Sequence, residues 1–514
     1  MNDFTTPETA RTFAAVIAAP AALLLALGAL VAPVRAEPAA ASAPPAATVA
    51  ATSVRALVPA TLTPVEHTAD VVFLEKSTGQ KGSVPSVGQL RALLTKVSDY
   101  WARETLGAVP LIAEGEITRV KTSYDVCSIA KAWAKGADAF GRTPATYQES
   151  GSTRHLIVIV RDATCAGLGT ASFGQQKLAG GTVWVNLGTQ KVTEGVHPVA
   201  HEIGHNFGLN HANARLCGKG VVDAAYSGTK LRKPCVDEEY GDLWSVMGLG
   251  IVGYSSQPPP LSLNQRDYLG VLPPGVVRDV TPAGGASQTV TIRALGIGDG
   301  SSGVRGLRVA PDGGDPFYVE YRSGRNHDAV AGRPATWSVG PTGGKNWLRT
   351  EAGVKIVKTP KKDPSASTVL TSWKKKRGSG GEYTEVLRTG QKMRPHGNAT
   401  VTVMGISKDR TAAKIKITFA KPLKKLTATP VPKISGTAKA GRTLKAKAGT
   451  WKPSGVKLSY RWKRNGTSIA GATKSSYRVT AADRGKTLTV TVTGSKSGYA
   501  KTAKKSAGKK VAKT

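Results

Sequence analysis

Cysteine and acidic residues are scarce in this chain. Its 514 residues include four Cys, and 34 Asp plus Glu stand against 71 Lys plus Arg, which gives a formal net charge of +37. No C-x-x-C spacing occurs, so a cysteine-bound zinc lacks its usual ligand pattern. The G-x-S-x-G turn that carries the nucleophile of many hydrolases is also missing, which disfavours a serine hydrolase. The length predicts two or three domains.

Long apolar runs are missing beyond the N-terminal region. Residues 13–34 form an apolar run of 22 residues that Arg11 precedes, and Val34-Arg35-Ala36 suits a small-residue cleavage site. We expect residues 1–36 to be a secretory signal peptide. A retained membrane anchor is the alternative, because 22 residues can span a bilayer. Since no later stretch is apolar enough to span a membrane, we expect a secreted protein, with association with the cell wall as a further expectation.

Histidine is also rare, with eight residues in the chain, yet four of them fall within residues 193–213. This stretch reads TEGVHPVAHEIGHNFGLNHAN and contains the pattern H-E-x-x-H-x-x-G-x-x-H. If it is helical through Phe207, His201 and His205 lie one turn apart on one face. Two imidazoles in that position can bind one zinc ion, and Glu202 lies close enough to polarise a bound water.

The second half of the pattern predicts a third ligand. Gly208 supplies the backbone freedom to end the helix and turn the chain, which brings His211 round. Three protein ligands leave a fourth tetrahedral position for water, which a catalytic zinc needs and a structural zinc does not. The short form H-E-x-x-H occurs by chance on ordinary helices, but the extended form also demands a Gly and a third His at fixed offsets. We therefore predict a catalytic zinc site at His201, His205 and His211.

The extended pattern resembles the signature of the metzincin metalloproteases, which couple it to a downstream Met-turn. Residues 240–248 read YGDLWSVMG and place Met247 in a matching context. The resemblance implies that Met247 packs beneath the zinc-binding histidines. It is closest to the gametolysin-type branch and covers about residues 69–270. Two features of related families are not expected: Leu249 stands where astacins carry a tyrosine ligand, and residues 37–126 contain no Cys for a cysteine switch.

These residues predict a secreted zinc-dependent endopeptidase that acts on protein or peptide substrates. Zinc would lower the pKa of its bound water towards ~7 from 15.7 in bulk water. Glu202 would act as the general base and then pass the proton to the leaving amine. A gluzincin-type hydrolase would use a distal Glu as its third ligand in place of His211, and the Gly208–His211 spacing makes that assignment unnecessary. The alternative function is a cell-wall or glycan-binding surface protein with a secondary or inactive protease domain, which the intact ligands and Glu202 disfavour.

We expect residues 69–272 to form an α/β (α+β) metzincin-like catalytic domain, after a linker or short propeptide at residues 37–68. Apolar spacing predicts two strands at residues 70–74 and 155–160 and two helices at residues 87–105 and 129–139. The run HLIVIV is apolar throughout, which favours a central strand. By resemblance, the alternating segment TVWVNL, with Trp184 in it, is expected to be the edge strand that aligns the substrate.

All four Cys lie in this predicted catalytic domain, where export permits disulfides. Four Cys allow three connectivities. We favour Cys127–Cys165 and Cys217–Cys235, because each pair closes a moderate loop and the second would brace the segment between the zinc motif and the Met-turn. A cysteine-bound second zinc is the alternative.

Two β-rich units are expected after the catalytic domain. Residues 276–420 contain short alternating segments separated by Gly and Pro turns, which predicts an all-β domain. Residues 427–500 resemble an Ig-like module common in secreted actinobacterial proteins, in which Trp462 and Tyr477 would fill the core of a small β-sandwich. Residues 501–514 are expected to be a basic disordered tail.

Residues 421–514 hold 24 Lys plus Arg and a single acidic residue, Asp483. This imbalance predicts attraction to a polyanion. The expected partner is an acidic cell-wall polymer or glycan. Specific nucleic-acid binding is not expected, because no RNA- or DNA-reading motif is visible. The alternative is that the richness in Lys only confers solubility.

Overall fold

The computed structural model describes residues 63–513 with short gaps, at residues 80–81, 228–229, 250–255, 285, 297–302, 333–334, 340–345, 361–362, 376–380 and 421–423. The predicted signal peptide and most of the predicted linker lie outside the described residues. The chain divides into one compact unit that ends at Ala420 and a second unit that begins at Lys421. No helix of the described part is long and apolar enough to cross a membrane.

The first sheet is a mixed α/β layer built by the N-terminal part of the first unit. Its elements in chain order are β1 (His67–Lys76), α1 (Val87–Glu104), β2 (Ile112–Thr122), α2 (Ile129–Asp138), α3 (Pro144–Gln148), β3 (Arg154–Val160), β4 (Gly169–Ala171) and β5 (Gly181–Asn186). The strand order is β2-β1-β3-β5-β4. The first four strands in this order run parallel, and β4 runs antiparallel to β5.

The predicted central strand and first helix are present, for the expected reasons. The apolar run of β3 is buried on both faces and pairs with β1 and β5, as parallel strands covered by helices require. Ser86 caps α1 in a capping box with Gln89, which satisfies two backbone donors at the helix start. The apolar stripe of α1 is buried in the same core cluster as residues from β1, β3 and β5.

The predicted substrate-edge strand is wrong by one position in the sheet. Trp184 lies on β5, which β3 and β4 flank on its two sides. Its side chain is 1% exposed, and its indole Nε1 donates to the Val126 carbonyl at 3.0 Å. The edge strand is β4 instead. A three-residue strand inside a Gly-rich loop gives too short an alternation to be read from the sequence.

The middle of the chain supplies two helices and eighteen strands. They are α4 (Val196–Asn206), β6 (Ala212–Leu216), β7 (Tyr226–Ser227), β8 (Lys230–Leu231), β9 (Val236–Glu238), α5 (Leu263–Leu269), β10 (Val277–Val280), β11 (Ser287–Arg293), β12 (Gly306–Val309), β13 (Phe317–Arg322), β14 (Ala335–Val339), β15 (Asn346–Thr350), β16 (Gly353–Lys358), β17 (Ser367–Leu370), β18 (Ser372–Lys375), β19 (Gly381–Thr384), β20 (Val386–Leu387), β21 (Lys392–Met393), β22 (Ala399–Ile406) and β23 (Ala412–Phe419). An eight-stranded sheet follows the order β10-β12-β13-β16-β17-β6-β9, with β20 also paired to β16. Two four-stranded sheets follow the orders β11-β23-β22-β21 and β14-β15-β19-β18.

The eight-stranded sheet crosses the predicted domain boundary near residues 272–276. Strand β6 begins directly after His211 and pairs in parallel with β17, with Ala212 opposite Ser367. The prediction of a separate β-rich domain at residues 276–420 is therefore wrong, because that segment shares a sheet with β6, the strand that directly follows the third predicted ligand. Parallel pairing between segments more than 150 residues apart leaves no local signal in the sequence.

The second unit is a small β-sandwich. Its strands are β24 (Lys433–Ser435), β25 (Thr443–Lys447), β26 (Lys457–Arg464), β27 (Thr467–Ser468), β28 (Ser476–Arg478), β29 (Thr487–Ser495), β30 (Thr502–Lys505) and β31 (Lys509–Lys510). A sheet of order β24-β25-β28 faces one of order β27-β26-β29-β30, to which β31 adds beside β29. Both sheets contribute to one core, which contains the fully buried Trp462 and the partly buried Tyr477.

The predicted disordered tail is also ordered over residues 501–513. Strand β30 pairs with β29, where Thr491 lies opposite Lys505, and β31 pairs with its start. Val511 is 2% exposed in the core of the sandwich. Val511 is the one large apolar residue among the Lys and small residues of this segment, which is too weak a pattern to predict the strands from the sequence. Its burial fixes their position.

Both predicted disulfides are present. Cys127 is bonded to Cys165 and Cys217 to Cys235, and no free cysteine remains. The first bond ties the loop before α2 to the loop after β3. The second bond joins the end of β6 to the segment that leads into β9, and so braces the chain between the zinc motif and the Met-turn.

Candidate metal centre

Helix α4 carries the first two predicted ligands on one buried face. A 3-10 turn at Val192–Gly195 leads into the helix, and His201 and His205 are each 3% exposed. The Nδ1 atom of His201 donates to the Val246 carbonyl at 2.8 Å, and that of His205 donates to the Leu209 carbonyl at 2.8 Å. Because a carbonyl can only accept, both rings carry their proton on Nδ1 and leave Nε2 free as a ligand atom.

The third predicted ligand is brought to the same place by a turn at Gly208. This residue has φ of +82°, a left-handed conformation that glycine adopts without strain. His211 is 5% exposed, and its Nδ1 donates to the Glu239 carboxylate at 2.7 Å. The carboxylate orients the ring as partners of metal-bound histidines do. The turn that Gly208 was predicted to make is confirmed by its backbone.

The segment between β16 and β17 holds the backbone around the third histidine. The Asn210 side chain donates to Asp363 at 2.7 Å, and the Asn210 backbone donates to the Ser365 carbonyl at 3.2 Å. The Ser367 backbone donates to the His211 carbonyl at 3.1 Å. Residues from the predicted β-rich domain therefore position a predicted metal ligand, a role for which the sequence contains no signal.

The three histidines fit a zinc ion. Their ligand atoms all lie within 4.8 Å of one another. The buried Nε2 atoms of His201 and His211 have no hydrogen-bond partner. Burial lowers the pKa of His201 well below its usual value and that of His205 to about 3, so these rings are neutral near pH 7. Three buried imidazoles that converge on one point match the ligand set of a catalytic zinc site with an open position.

Glu202 lies beside this cluster in a state suited to proton transfer. It is 1% exposed, and neither carboxylate oxygen has a hydrogen-bond partner. Burial raises the pKa of Glu202 well above its ordinary value. Gly169 at the edge strand β4 makes room for it, because a Cβ there would collide with the Glu202 carboxylate. A buried carboxylate with no structural partner is a candidate general base.

Met247 lies beneath α4, the helix that carries His201 and His205. Its side chain is fully buried, and a Cβ at Gly204 would collide with its sulfur, so the helix approaches the methionine over a residue without a side chain. The Met247 carbonyl accepts a hydrogen bond from the Ala212 backbone at 2.8 Å. The turn thus supports both halves of the site: Val246 orients His201, and Met247 binds the chain just after His211.

A buried ion pair holds the same turn in place. Asp242 and Lys355 are each 0% exposed, and Lys355 on β16 donates to the Asp242 carboxylate. The other contact of that carboxylate oxygen is the Trp244 backbone, at 3.0 Å. The Asp242 backbone donates to the Ala212 carbonyl at 3.1 Å. Strand β16 therefore anchors the Met-turn through a charge pair that sequence reasoning missed.

Tyr240 is a further residue of the site that sequence reasoning missed. Its ring centroid lies 3.9 Å from that of His211 and 6.0 Å from that of His201. Its φ of +58° is uncommon for a bulky residue, and strained backbone of this kind clusters at functional sites. The one sequence signal for Tyr240 is its place at the start of the YGDLWSVMG motif, whose resemblance to a Met-turn concerns Met247.

Comparison with known proteins points to the same chemistry. Residues 118–212 match the model described as metallo-peptidase family M12B, reprolysin-like. The matched range runs from β2 to just past His211 and includes Glu202 and all three histidines. The family match and the histidine cluster together support a zinc metallopeptidase.

Among the solved structures that are similar to this chain is a metalloproteinase. It is metalloproteinase-II from Bacteroides fragilis, at 18% identity and a TM-score of 0.19. The alignment covers 29% of this chain and 45% of that chain, so this chain spans less than half the length of that protein. Among curated proteins, no relative matches.

Proposed function

We propose that this protein is a secreted zinc endopeptidase of the metzincin type, closest to the gametolysin-type branch. The observation that carries the proposal is the convergence of three buried imidazoles on one point, with the unpartnered carboxylate of Glu202 beside them. A structural zinc site closes its coordination with a fourth protein ligand. Among the described residues, no fourth His, Cys, Asp or Glu joins this cluster.

The chemistry divides between the metal and the chain. When bound at His201, His205 and His211, zinc supplies a Lewis acid that activates water and polarises a carbonyl group. Glu202 takes the proton of the attacking water and returns it to the leaving amine. Its burial suits both roles, because a raised pKa lets the carboxyl group hold the proton between the two transfers.

The edge strand β4 is the proposed substrate platform, in place of β5. It lies at the end of the sheet order, and Gly169 within it contacts the Glu202 side chain closely. An extended peptide that adds to β4 as a further strand would pass directly over this carboxylate. Main-chain hydrogen bonds would then hold the peptide while pockets for alternate side chains select it.

The proposal also includes export of the protein and a binding role for the second unit. The apolar run at residues 13–34 and the two disulfides are typical of exported proteins. The second unit, with its Trp-centred β-sandwich, is proposed to be an Ig-like module that holds the enzyme near an acidic cell-wall polymer or glycan.

Metal removal tests the proposed activity. We expect the purified full-length chain to cleave an unfolded protein, to lose that activity after dialysis against a zinc chelator, and to regain it with about one equivalent of zinc per chain. The measurement is the rate of peptide-bond cleavage before and after each step. Full activity in metal-free protein would overturn the proposal, and so would zinc-loaded, folded protein that cleaves no peptide.

A further inference from the structure

The second unit has almost no negative charge of its own at its surface. Its one acidic residue, Asp483, is fully buried. That carboxylate accepts hydrogen bonds from Arg464 at 2.6 Å, from the Tyr477 hydroxyl at 2.8 Å and from the Thr480 backbone at 2.7 Å. Among the described residues of this unit, the other cations therefore have no acidic side chain of the same unit to balance them.

Four of these cations lie together on the outer face of the three-stranded sheet. Alternation along β25 buries Leu444 and turns its two lysines outward. The strand register places Lys433 of β24 directly opposite Lys447, and Arg478 of β28 opposite Thr443. The cationic residues on this face, which we call the quartet, are Lys433, Lys445, Lys447 and Arg478. All four are exposed.

The quartet is dense and costs stability when no counter-charge is present. It spans the length of β25 from residue 443 to residue 447, which is about 13 Å at ~3.3 Å per residue. Like charges directly opposite each other across two strands are destabilising, as Lys433 and Lys447 are. A chain of anions laid along this face would remove that repulsion. Hydroxyl groups between the cations, on Thr443 and Ser476, add hydrogen-bond donors for anionic oxygens.

The opposite sheet offers a natural comparison. Its outer face also carries four exposed cations, which are Lys457, Arg461, Lys505 and Lys510, with the half-buried Lys463 among them. The partners of the four exposed cations on β29 run from Thr487 to Ser495, which is about 26 Å. The segment before β31 also lies close over this face, because a Cβ at Gly508 would collide with Thr487. On the quartet face, by contrast, every outward cation of the described strands is exposed.

The outward residues also indicate the chemistry of the partner. In the three-stranded sheet the aromatic and apolar residues Ile434, Leu444 and Tyr477 alternate with the cations and belong to the core. No aromatic side chain of the described strands is therefore on the outer face as a stacking platform for nucleic-acid bases. Cations with interleaved hydroxyls suit a polymer of phosphate groups joined by polyols.

We propose that the quartet face is the docking surface for a polyol-phosphate polymer. The proposal rests on the proposed function of the second unit as an anchor to an acidic wall polymer, and it assigns that role to one face. The phosphate groups lie along β25, and the interaction is electrostatic, so it weakens as salt rises.

Two matched variants of the full-length chain test the assignment. One replaces the quartet, with Lys433→Thr, Lys445→Thr, Lys447→Thr and Arg478→Thr. The other makes the same changes on the opposite sheet, with Lys457→Thr, Arg461→Thr, Lys505→Thr and Lys510→Thr. Each removes three Lys and one Arg at exposed positions. Binding to immobilised poly(glycerol phosphate) is measured at 0.1 M and 1 M salt, and thermal melting and hydrolysis of a short peptide are recorded for all three proteins.

We expect the quartet variant to lose about 100-fold or more in affinity at 0.1 M salt, and the opposite-face variant less than about fivefold. Peptide hydrolysis should be unchanged in both. Equal losses in the two variants would overturn the assignment to this face. If the wild type itself shows no salt-dependent binding, the anchor function fails as well, while the peptidase function stands.

Two further measurements test the class of the partner and separate lost binding from lost stability. Tighter binding of a single-stranded DNA oligonucleotide than of poly(glycerol phosphate) by tenfold would overturn the partner class. If the fourfold variant melts at a lower temperature, the single change Lys445→Thr at the centre of the face should still weaken binding by about fivefold. No loss with that variant would contradict the proposal.

Discussion

Replacing Glu202 by Gln should leave zinc bound and reduce peptide hydrolysis by about 10²- to 10⁴-fold. The substitution keeps the size of the side chain and leaves His201, His205 and His211 in place. It removes the one buried carboxylate at the site that has no structural hydrogen bond. An amide cannot take a proton from water, so the loss should be in kcat, with little change in KM.

The measurement is kcat and KM on one peptide substrate, together with zinc content, for the variant and the wild type. Glu149→Gln, an exposed position after α3, is the matched control and should change neither value. A Glu202→Gln protein with more than a tenth of wild-type turnover would show that another residue is the base.

Replacing Lys355 by Met should destabilise the first unit by about 3–5 kcal/mol and loosen the metal site. The change leaves Asp242 as a buried carboxylate without its ionic partner, and removing one member of a buried pair is costly. Asp242 also carries the backbone contacts to Trp244 and Ala212 that shape the Met-turn. Lys355 on β16, more than 100 residues after Met247 in the sequence, would thus affect zinc affinity.

A double-mutant cycle separates this effect from general damage to the core. The Lys355→Met, Asp242→Asn double variant removes both charges and should be more stable than Lys355→Met alone. Lys374→Met, at an exposed position on β18, is the control for the chemistry of the substitution. Thermal melting of zinc-loaded protein is measured for the wild type, for each of the two single variants Lys355→Met and Asp242→Asn, for the double variant and for Lys374→Met. Equal stability of Lys355→Met and the wild type would mean that the pair does not support the turn.

Much of the metal centre could be predicted because its pattern is local. His201, Glu202 and His205 share one helix, and Gly208 with its left-handed φ turns the chain to His211. Helical spacing and the conformational freedom of glycine need no knowledge of distant residues. The disulfide pairing could also be predicted, since with four Cys the pairs that close moderate loops are the natural choice.

The remainder depends on contacts between distant segments. The edge position of β4 follows from its pairing with β5, and a three-residue strand has no readable period. The support of Asn210 by Asp363, and of Asp242 by Lys355, joins segments that no spacing rule connects. Sequence patterns report which face of an element is buried, but they do not report which element covers it.

The central claim is a catalytic zinc held by three histidines. Metal analysis of the purified full-length chain and of His211→Ala tests it most directly, with His396→Ala, a partly exposed position near β21, as the control. We predict about one zinc per chain in the wild type and in His396→Ala, and a sharp loss of zinc and of peptide cleavage in His211→Ala. Stoichiometric zinc with full activity in His211→Ala would contradict the account.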